Sequence, residues 1–435
     1  MAGILERLYD TLVESDEDHG RGDLPDSSYR EVPGNAARLI GGFTFQKIGD
    51  RIADPKTVLA WMLTSLGAPG FATALLVPIR ESGSLLPQAL LVPMVRRHGL
   101  RSRVWAVGAL GQSVAIAAIG LAGFLLTGAG LGVAALVALA VFALARSVSS
   151  ISAKDVIGKT IPLGERGSVT GIAASVAGLA AIITGVLLTT SLRDAEPTAL
   201  SLVVAGSALL WLAGGAVFFT VREEPSPEDR SDPGTSLRDS LSLLAEDAPF
   251  RRFVGARSLM LVTALSPPFV VSLSASIGES AVSGVGPFVV ATGIAGLVAS
   301  PVWGRLADHS SRLVMAAASA ASAVVIAGYL GLRAGGLDST SWLGPVTYLL
   351  LAIAHAGARM GRKTYVVDMA GGDERTRYVA VSNTLIGLVL LGTGLVSALV
   401  AGFGAQWALA GLALAGVAAT WVSLSMEEVE SSDES

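Results

Sequence analysis

Two arginine–aspartate pairs with the same spacing lie where apolar runs end in the two halves of the chain. Arg146 precedes Asp155 by nine residues, and Arg359 precedes Asp368 by nine residues. An arginine inside a membrane helix is costly in free energy and commonly marks a functional site. Guanidinium groups suit carboxylate or phosphate groups because each can donate two parallel hydrogen bonds. The repeated spacing indicates two related halves that each contribute one arginine.

The two arginines have two interpretations, which the sequence leaves open. In one, Arg146 and Arg359 bind an anionic solute between the halves, and Ser150 and His355 lie one helical turn from them. In the other, both arginines belong to a cytoplasmic gate, where they pair with aspartates or with carbonyl groups at helix ends. Either interpretation gives these residues a role in alternating access.

Other polar residues in or beside apolar runs are candidates for the lining of a cavity. They are Trp61, Glu81, Gln88 and Asn383. Each could equally join neighbouring helices through hydrogen bonds. His355 is the one imidazole in a predicted span, which makes it a candidate for proton coupling or solute contact, although a packed, hydrogen-bonded histidine is the plainer explanation.

The composition predicts that lipid is the solvent for most of the 435 residues. Hydrophobic residues make up 51% and charged residues 15%, and the mean hydropathy is +0.61, whereas soluble domains average about 25% charged residues. Twelve apolar runs are candidates for helices that cross the bilayer, although the second is short. The runs cover about 57–79, 82–95, 104–127, 130–151, 168–190, 198–221, 253–276, 286–303, 313–332, 343–361, 379–402 and 406–425.

The positions of the basic residues predict the orientation of the chain. When the N-terminus is placed inside the cell, only Arg80, Arg193 and Arg333 of the 31 lysines and arginines fall on the outer side. Positive residues are enriched in cytoplasmic loops. We therefore expect a multi-pass protein of the cell (inner) membrane with both termini in the cytoplasm.

The segments outside the apolar runs are polar. We expect residues 1–34 to be a disordered cytoplasmic tail, 222–250 a cytoplasmic linker and 427–435 an acidic tail. In 36–53, apolar residues alternate irregularly with basic ones, which favours an amphipathic helix on the inner membrane surface.

Two prolines occupy matching positions in the first and seventh runs. Met62 is followed by Pro69, and Met260 is followed at the same spacing by Pro267. Proline frees a backbone carbonyl in a membrane helix and permits a kink. The matching positions therefore predict two kinks in corresponding helices.

Several kinds of chemistry have no support in the sequence. The chain contains no cysteine, no phosphate-binding Gly-x-x-x-x-Gly-Lys-Ser/Thr sequence and no cluster with metal-ligand spacing. We expect no cofactor, no metal site, no ATP-driven step and no enzymatic activity.

One loop carries a recognisable signature. Gly304-x-Leu306-Ala307-Asp308-x-x-x-Arg312 resembles the cytoplasmic loop signature of the major facilitator superfamily, and Gly99 with its basic neighbours resembles the counterpart in the first half, except that Arg96 stands where the family usually has an acid. The resemblance implies an all-α membrane protein with twelve transmembrane helices in two pseudo-symmetric six-helix bundles, at 55–221 and 251–426. It also implies a group of gating residues, Arg96, Arg97, Asp155, Arg166, Gly304, Arg305, Asp308, Arg312, Asp368 and Arg375.

The function predicted from this combination is secondary active transport by rocker-switch alternating access. The expected substrate is a small polar or anionic solute, with a proton or a sodium ion as a possible coupling ion. The alternatives are an exporter of amphipathic, drug-like compounds and a non-transporting membrane sensor on the same scaffold. Beyond the solute and the lipid bilayer we expect no partner and no nucleic acid, and we expect a monomer.

Overall fold

The computed structural model describes residues 29–162, 165–191, 196–225, 237–277, 282–307, 309–337, 340–369 and 374–429. These residues form helices joined by short turns, and no strand occurs among them. Residues 1–28, 226–236 and 430–435, on which most of the predicted tails and linker fall, lie outside the described residues.

The described residues of the first half form eight helices. They are α1 Val32–Ile52, α2 Val58–Ser65, α3 Gly70–Leu85, α4 Gln88–Arg96, α5 Arg101–Leu125, α6 Gly128–Thr160, α7 Arg166–Thr190 and α8 Pro197–Phe219. The second half contains α9 Leu237–Glu246, α10 Ala248–Leu259, α11 Val262–Ile277, α12 Gly286–Ala307, α13 Ser311–Leu332, α14 Leu343–Asp368, α15 Glu374–Ala401 and α16 Ala405–Leu424.

Eight helical stretches among the described residues are long and apolar enough to cross a membrane, and a ninth apolar helix, Gly286–Ala299, is shorter. The eight are Arg101–Leu125, Gly128–Thr160, Arg166–Thr190, Pro197–Phe219, Ala248–Ser276, Ser311–Leu337, Tyr378–Ala401 and Ala405–Leu424. Each overlaps one of the predicted runs, so these eight predictions agree with the structure.

The first predicted run, at 57–79, is wrong as a single helix. The chain turns at 66–69, where Gly67 has φ +75° and the N–H of Gly128 donates to the carbonyl of Leu66 at 3.1 Å. Glycine adopts this left-handed conformation without steric cost. Pro69 therefore caps α3, whereas Pro267 lies inside α11, and the two matched prolines are not structurally equivalent.

Residues 36–53 also differ from the predicted surface helix. They belong to α1, which packs along α7 and α8 rather than lying alone on the membrane surface. Leu39 and Phe43 are buried against Trp105 and Phe218. The buried apolar residues of this stretch therefore face neighbouring helices. After a break at 53–57, α1 is followed by the short helix α2.

The two halves meet along four helix pairs, which are α7 with α12, α3 with α15, α2 with α11, and α3 with α11. In the first pair, a Cβ atom on Gly185 would lie 2.7 Å from the carbonyl oxygen of Gly286. In the second, Ser82 Oγ donates to the carbonyl of Gly387 at 2.8 Å. The halves are therefore in direct backbone contact, and a cavity lies between these pairs.

Candidate functional site

A cavity of about 610 Å³ lies between the two halves, and its charged lining is mostly basic. Six cationic side chains and two carboxylates line it. The cations are Arg51, Lys56, Arg257, Arg359, Arg362 and Lys363, and the carboxylates are Asp54 and Glu81. Both halves contribute, because Arg51, Lys56 and the two acids come from the first half and the other cations from the second.

The break between α1 and α2 places charged residues at the cavity. Asp54 Oδ1 accepts a hydrogen bond from the N–H of Lys56 at 2.8 Å, which closes a tight local turn. Such a turn competes with the helical hydrogen-bond pattern, and Pro55 between the two residues cannot donate a backbone hydrogen bond. The local sequence thus interrupts the helix where the Lys56 side chain reaches the other half.

Four titratable residues of α14 lie on its cavity side. Arg359, Arg362 and Lys363 follow His355 by four, seven and eight residues, and all four line the cavity. Residues three and four apart occupy one face of a helix. This face supplies half of the cations of the cavity.

His355 joins the two helix breaks through hydrogen bonds. Its Nε2 lies 3.2 Å from Nζ of Lys56, and its Nδ1 lies 2.9 Å from Oγ1 of Thr263. Thr263 Oγ1 donates to the carbonyl of Met260 at 3.0 Å, between α10 and α11. Because a lysine ammonium group only donates and the hydroxyl hydrogen of Thr263 is engaged, a neutral imidazole with hydrogen on Nδ1 satisfies both contacts.

Arg257 is a buried guanidinium group with neutral partners. Its side chain donates to Ser382 Oγ at 2.5 Å and to Asn383 Oδ1 at 2.8 Å, and the residue is only 7% exposed. Its Nε has no hydrogen-bond partner. A buried cation held only by uncharged groups carries a large desolvation cost, which a bound anion would offset.

The cavity is closed at one end and open at the other. At the closed end, Thr64 Oγ1 donates to Ser272 Oγ at 3.0 Å, and the rings of Trp61 and Phe288 pack at 5.9 Å between centroids. At the other end, Glu81, Arg359 and Lys363 are exposed to solvent. The open end is on the side of the molecule where α6 and α14 end.

Arg146, the predicted partner of Arg359, does not line the cavity. Its guanidinium group pairs with Asp50 Oδ2 at 2.8 Å, and Arg80 pairs with the other oxygen of the same carboxylate at 2.9 Å. Gln112 Oε1 accepts a further hydrogen bond from Arg146 at 3.3 Å. The residues at matching positions in the two halves therefore differ, since the first is neutralised within its own half and Arg359 forms no ion pair with any residue that the structure describes.

The other predicted site residues fall into two groups, those that lie at the cavity and those that do not. Glu81, His355 and Asn383 line the cavity. Trp61 lies at its closed end. Gln88 donates to the carbonyl of Ser84 within its own helical region at 2.8 Å, and Ser150 is a half-buried residue of α6 that does not line the cavity.

Three of the predicted gating residues, Asp155, Arg166 and Arg312, make contacts within their own half. Asp155 pairs with Arg101 at 3.5 Å, and Arg166 donates to carbonyls at the end of α6. Arg312 pairs with Glu428 at 3.1 Å, which pins the last described residues against the start of α13. Arg97, Arg305 and Asp368 are exposed, Arg96 is half-buried, Gly304 lies in α12, and Arg375 lies in α15. Asp308 lies outside the described residues.

Sequence reasoning missed much of the cavity. Arg257 and Arg362 were detectable, because each lies within or directly beside an apolar run that was predicted to cross the membrane. Arg51 was not, because the predicted helix at 36–53 was assigned to the membrane surface, and Asp54 and Lys56 were not because they lie between that helix and the first predicted run at 57–79. Arg80 was placed outside, and the structure buries it against Asp50.

The chain is similar to solved structures of other proteins. No protein-family model and no curated protein matches it. A D-xylose–proton symporter superimposes with a TM-score of 0.69 at 10% identity, covering 91% of this chain and 98% of the symporter. A mutant of the nucleoside transporter NupG gives 0.68 at 12% identity, covering 90% and 99%. These structures are of the major facilitator type. The chain has the major facilitator fold.

A third structure extends the comparison. A bacterial homologue of the iron transporter ferroportin, in its inward-facing state, gives a TM-score of 0.65 at 15% identity and covers 90% of this chain and 98% of its own. The resemblance first found in the loop that ends at Arg312 is thereby confirmed for the fold. The comparisons concern the fold alone. The basic lining of the cavity is an observation on this chain.

Proposed function

We propose that the protein is a secondary transporter that carries a small anionic solute across the membrane by alternating access. In this proposal α1 with α2, α3 with α4, and α10 with α11 each form one interrupted crossing. Together with the other long helices they make twelve crossings in two groups of six. The similar solved structures include transporters of a sugar and of a nucleoside, which supports transport in general.

The excess of cations over carboxylates in the cavity is the observation that supports an anionic substrate. Arg51, Arg359 and Arg362 line it, and none of the three forms an ion pair or hydrogen bond within the described part of the chain. Free guanidinium groups in a partly desolvated cavity attract and orient carboxylate or phosphate groups. The substrate would therefore bind between α14 and the break at 53–57.

The lining also distinguishes this proposal from an exporter of amphipathic compounds. Such an exporter calls for a cavity dominated by aromatic and aliphatic side chains. Aliphatic side chains do contribute to this lining, but Tyr348 is the only phenolic or indole ring among the lining residues described, and six cations and two carboxylates accompany it. The charged residues concentrate where both halves face the cavity. An anionic solute fits this lining better than an apolar one.

Movement of the solute requires the closed end to open and the open end to close. We propose that the open end faces the cytoplasm, where basic loops concentrate. The contacts of Trp61, Thr64 and Ser272 would separate as the halves rock, and the predicted gating residues near the ends of α6 and α14 would approach one another. The substrate-binding residues Arg359 and Arg362 would then be enclosed.

A thermal-shift screen with carboxylates, phosphate and phosphate esters tests the proposal. A ligand that binds only the folded state stabilises it by about 2.7 kcal/mol at a hundredfold excess over its Kd. We expect at least one anion to raise the Tm of the wild type, and Arg359→Gln to weaken its affinity by about tenfold to a hundredfold, because a charge-assisted hydrogen bond is lost.

The matched control is Arg146→Gln, which removes a guanidinium group from the equivalent position of the other half. It should lower the Tm of the free protein while leaving the anion affinity within about twofold, since Arg146 does not line the cavity. Equal losses of affinity in both variants, or stabilisation by neutral sugars alone, would contradict the proposed function.

A further inference from the structure

Among the described lining residues, the cavity lacks the carboxylates that it would need to be closed without a solute. Its six cations face two acids, and one oxygen of Asp54 already accepts the N–H of Lys56. Glu81 is the other acid, and it interacts electrostatically with Arg359 and Arg362 across the cavity without touching either. In the open state, the excess positive charge is therefore left to be solvated by water.

Nearby acids of the first half are already committed to other cations. Asp50 is shared between Arg80 and Arg146, and its carboxylate has one oxygen in each ion pair. Asp155, further towards the open end, pairs with Arg101. Neither acid can move to the cavity without leaving a cation of its own half unpaired, which is costly for buried groups.

Closing the open end removes the water that solvates these cations. The same movement brings Lys154 of α6 towards Lys363 of α14. The positive charges of these two lysines already repel one another. Both effects raise the free energy of an empty, closed cavity, since uncompensated charges in a poorly solvated space cost several kcal/mol each. A bound anion supplies the missing negative charge, so the loaded cavity can close.

We infer that the empty protein is held in the state with the open end exposed, and that the transporter is an obligatory anion exchanger. One anion leaves only when another replaces it, because the return step requires a loaded cavity. The inference rests on the proposed function and adds the mode of transport to it. It requires no coupling ion, because the solute itself is the counter-charge.

A cysteine placed at the closed end reports opening there, and the natural chain contains no cysteine that would interfere. In Ser272→Cys protein, the thiol should react slowly with a maleimide in detergent when the buffer contains only bulky sulfonate anions. Asn383→Asp replaces an amide oxygen 2.8 Å from Arg257 by a carboxylate oxygen and so supplies an internal counter-charge. We expect this second change to accelerate labelling at least about tenfold without any added anion.

Two further variants keep the experiment decisive. Ser382→Asp places a carboxylate beside the same guanidinium group, and it replaces Asn383→Asp if the latter does not fold. Gln406→Glu adds the same charge at an exposed position near the start of α16, and labelling should stay at the rate of Ser272→Cys alone. Unchanged labelling with either internal carboxylate overturns the inference.

Inorganic phosphate provides the second arm. Phosphate added to Ser272→Cys protein at concentrations that raise its Tm should accelerate labelling, and it should have little further effect on the Asn383→Asp protein. Rapid labelling of Ser272→Cys without any anion, together with a Tm increase by an anion, overturns exchange and leaves the proposed transport intact. If no carboxylate, phosphate or phosphate ester raises the Tm, the proposed function and the exchange inference fall together.

Discussion

At the scale of single residues, two arginines at matching positions differ in their ion pairing. Arg146 shares the carboxylate of Asp50 with Arg80, and these side chains are 25%, 17% and 14% exposed. Arg359 faces the cavity without an ion pair. The first arrangement holds three helices of one half together, and the second leaves a donor available to a solute. The two matching positions therefore differ in role: Arg146 stabilises the fold of one half, and Arg359 is available to bind a solute.

Removal of the Asp50 carboxylate should destabilise the protein strongly. Asp50→Asn leaves Arg80 and Arg146 without a counter-charge in a mostly buried place, and such a loss costs about 3 kcal/mol or more. We expect a clear fall in Tm, measured by the loss of monodisperse protein on heating. The control is Glu31→Gln, which breaks an exposed pair with Arg222 and should cost less than about 1 kcal/mol. Similar Tm values for the two variants would refute a stabilising role for Asp50.

The sequence predicted some of these residues and not others for a physical reason. Glu81, His355, Arg359 and Asn383 were found because polar groups inside apolar runs are rare. Ion pairing could not be predicted, since Asp50 and Arg146 are 96 positions apart in the chain and their contact depends on how α1 packs. Whether a charge is free or neutralised is a property of the fold, so the anion-binding interpretation of Arg146, one of the two that the sequence left open, does not match its position.

At the scale of helices, interruptions position the site. The break at 53–57 carries Lys56 to His355, and the break at 260–261 offers the Met260 carbonyl to Thr263. Hydropathy did not locate a third interruption, the turn at 66–69 between α2 and α3, because the apolar run at 57–79 passes through it. Only the geometry of Gly67 and Pro69 separates the two helices there.

Close helix packing between the halves gives a prediction at this scale. Gly185→Ala places a methyl group 2.7 Å from the carbonyl oxygen of Gly286, so α7 and α12 must move apart. Overpacking of this kind costs about 1–3 kcal/mol. We expect a lower Tm. Gly171→Ala is the matched control on the same helix, since a Cβ atom there meets nothing within 4 Å; a fall in Tm as large as that of Gly185→Ala would exclude packing as the cause.

At the scale of the whole molecule, the two halves form one cavity that is basic, closed at one end and open at the other. The sequence predicted this level best. The repeat, the loop signature at Gly304 and the length of eight apolar runs were sufficient for the major facilitator fold. The size and charge of the cavity depend on helices that cross at an angle, and no linear pattern records which side chains converge between them.

The central claim is that an anion passes through this cavity, and uptake into proteoliposomes tests it most directly. Vesicles loaded with unlabelled phosphate, succinate or a phosphate ester would be offered the same compound in labelled form, with labelled D-xylose as the neutral comparison. We expect the wild type to take up at least one anion and no xylose, and Arg362→Gln to reduce the rate at least about tenfold. Uptake of xylose without any anion, or anion uptake unaffected by Arg362→Gln, would contradict the account.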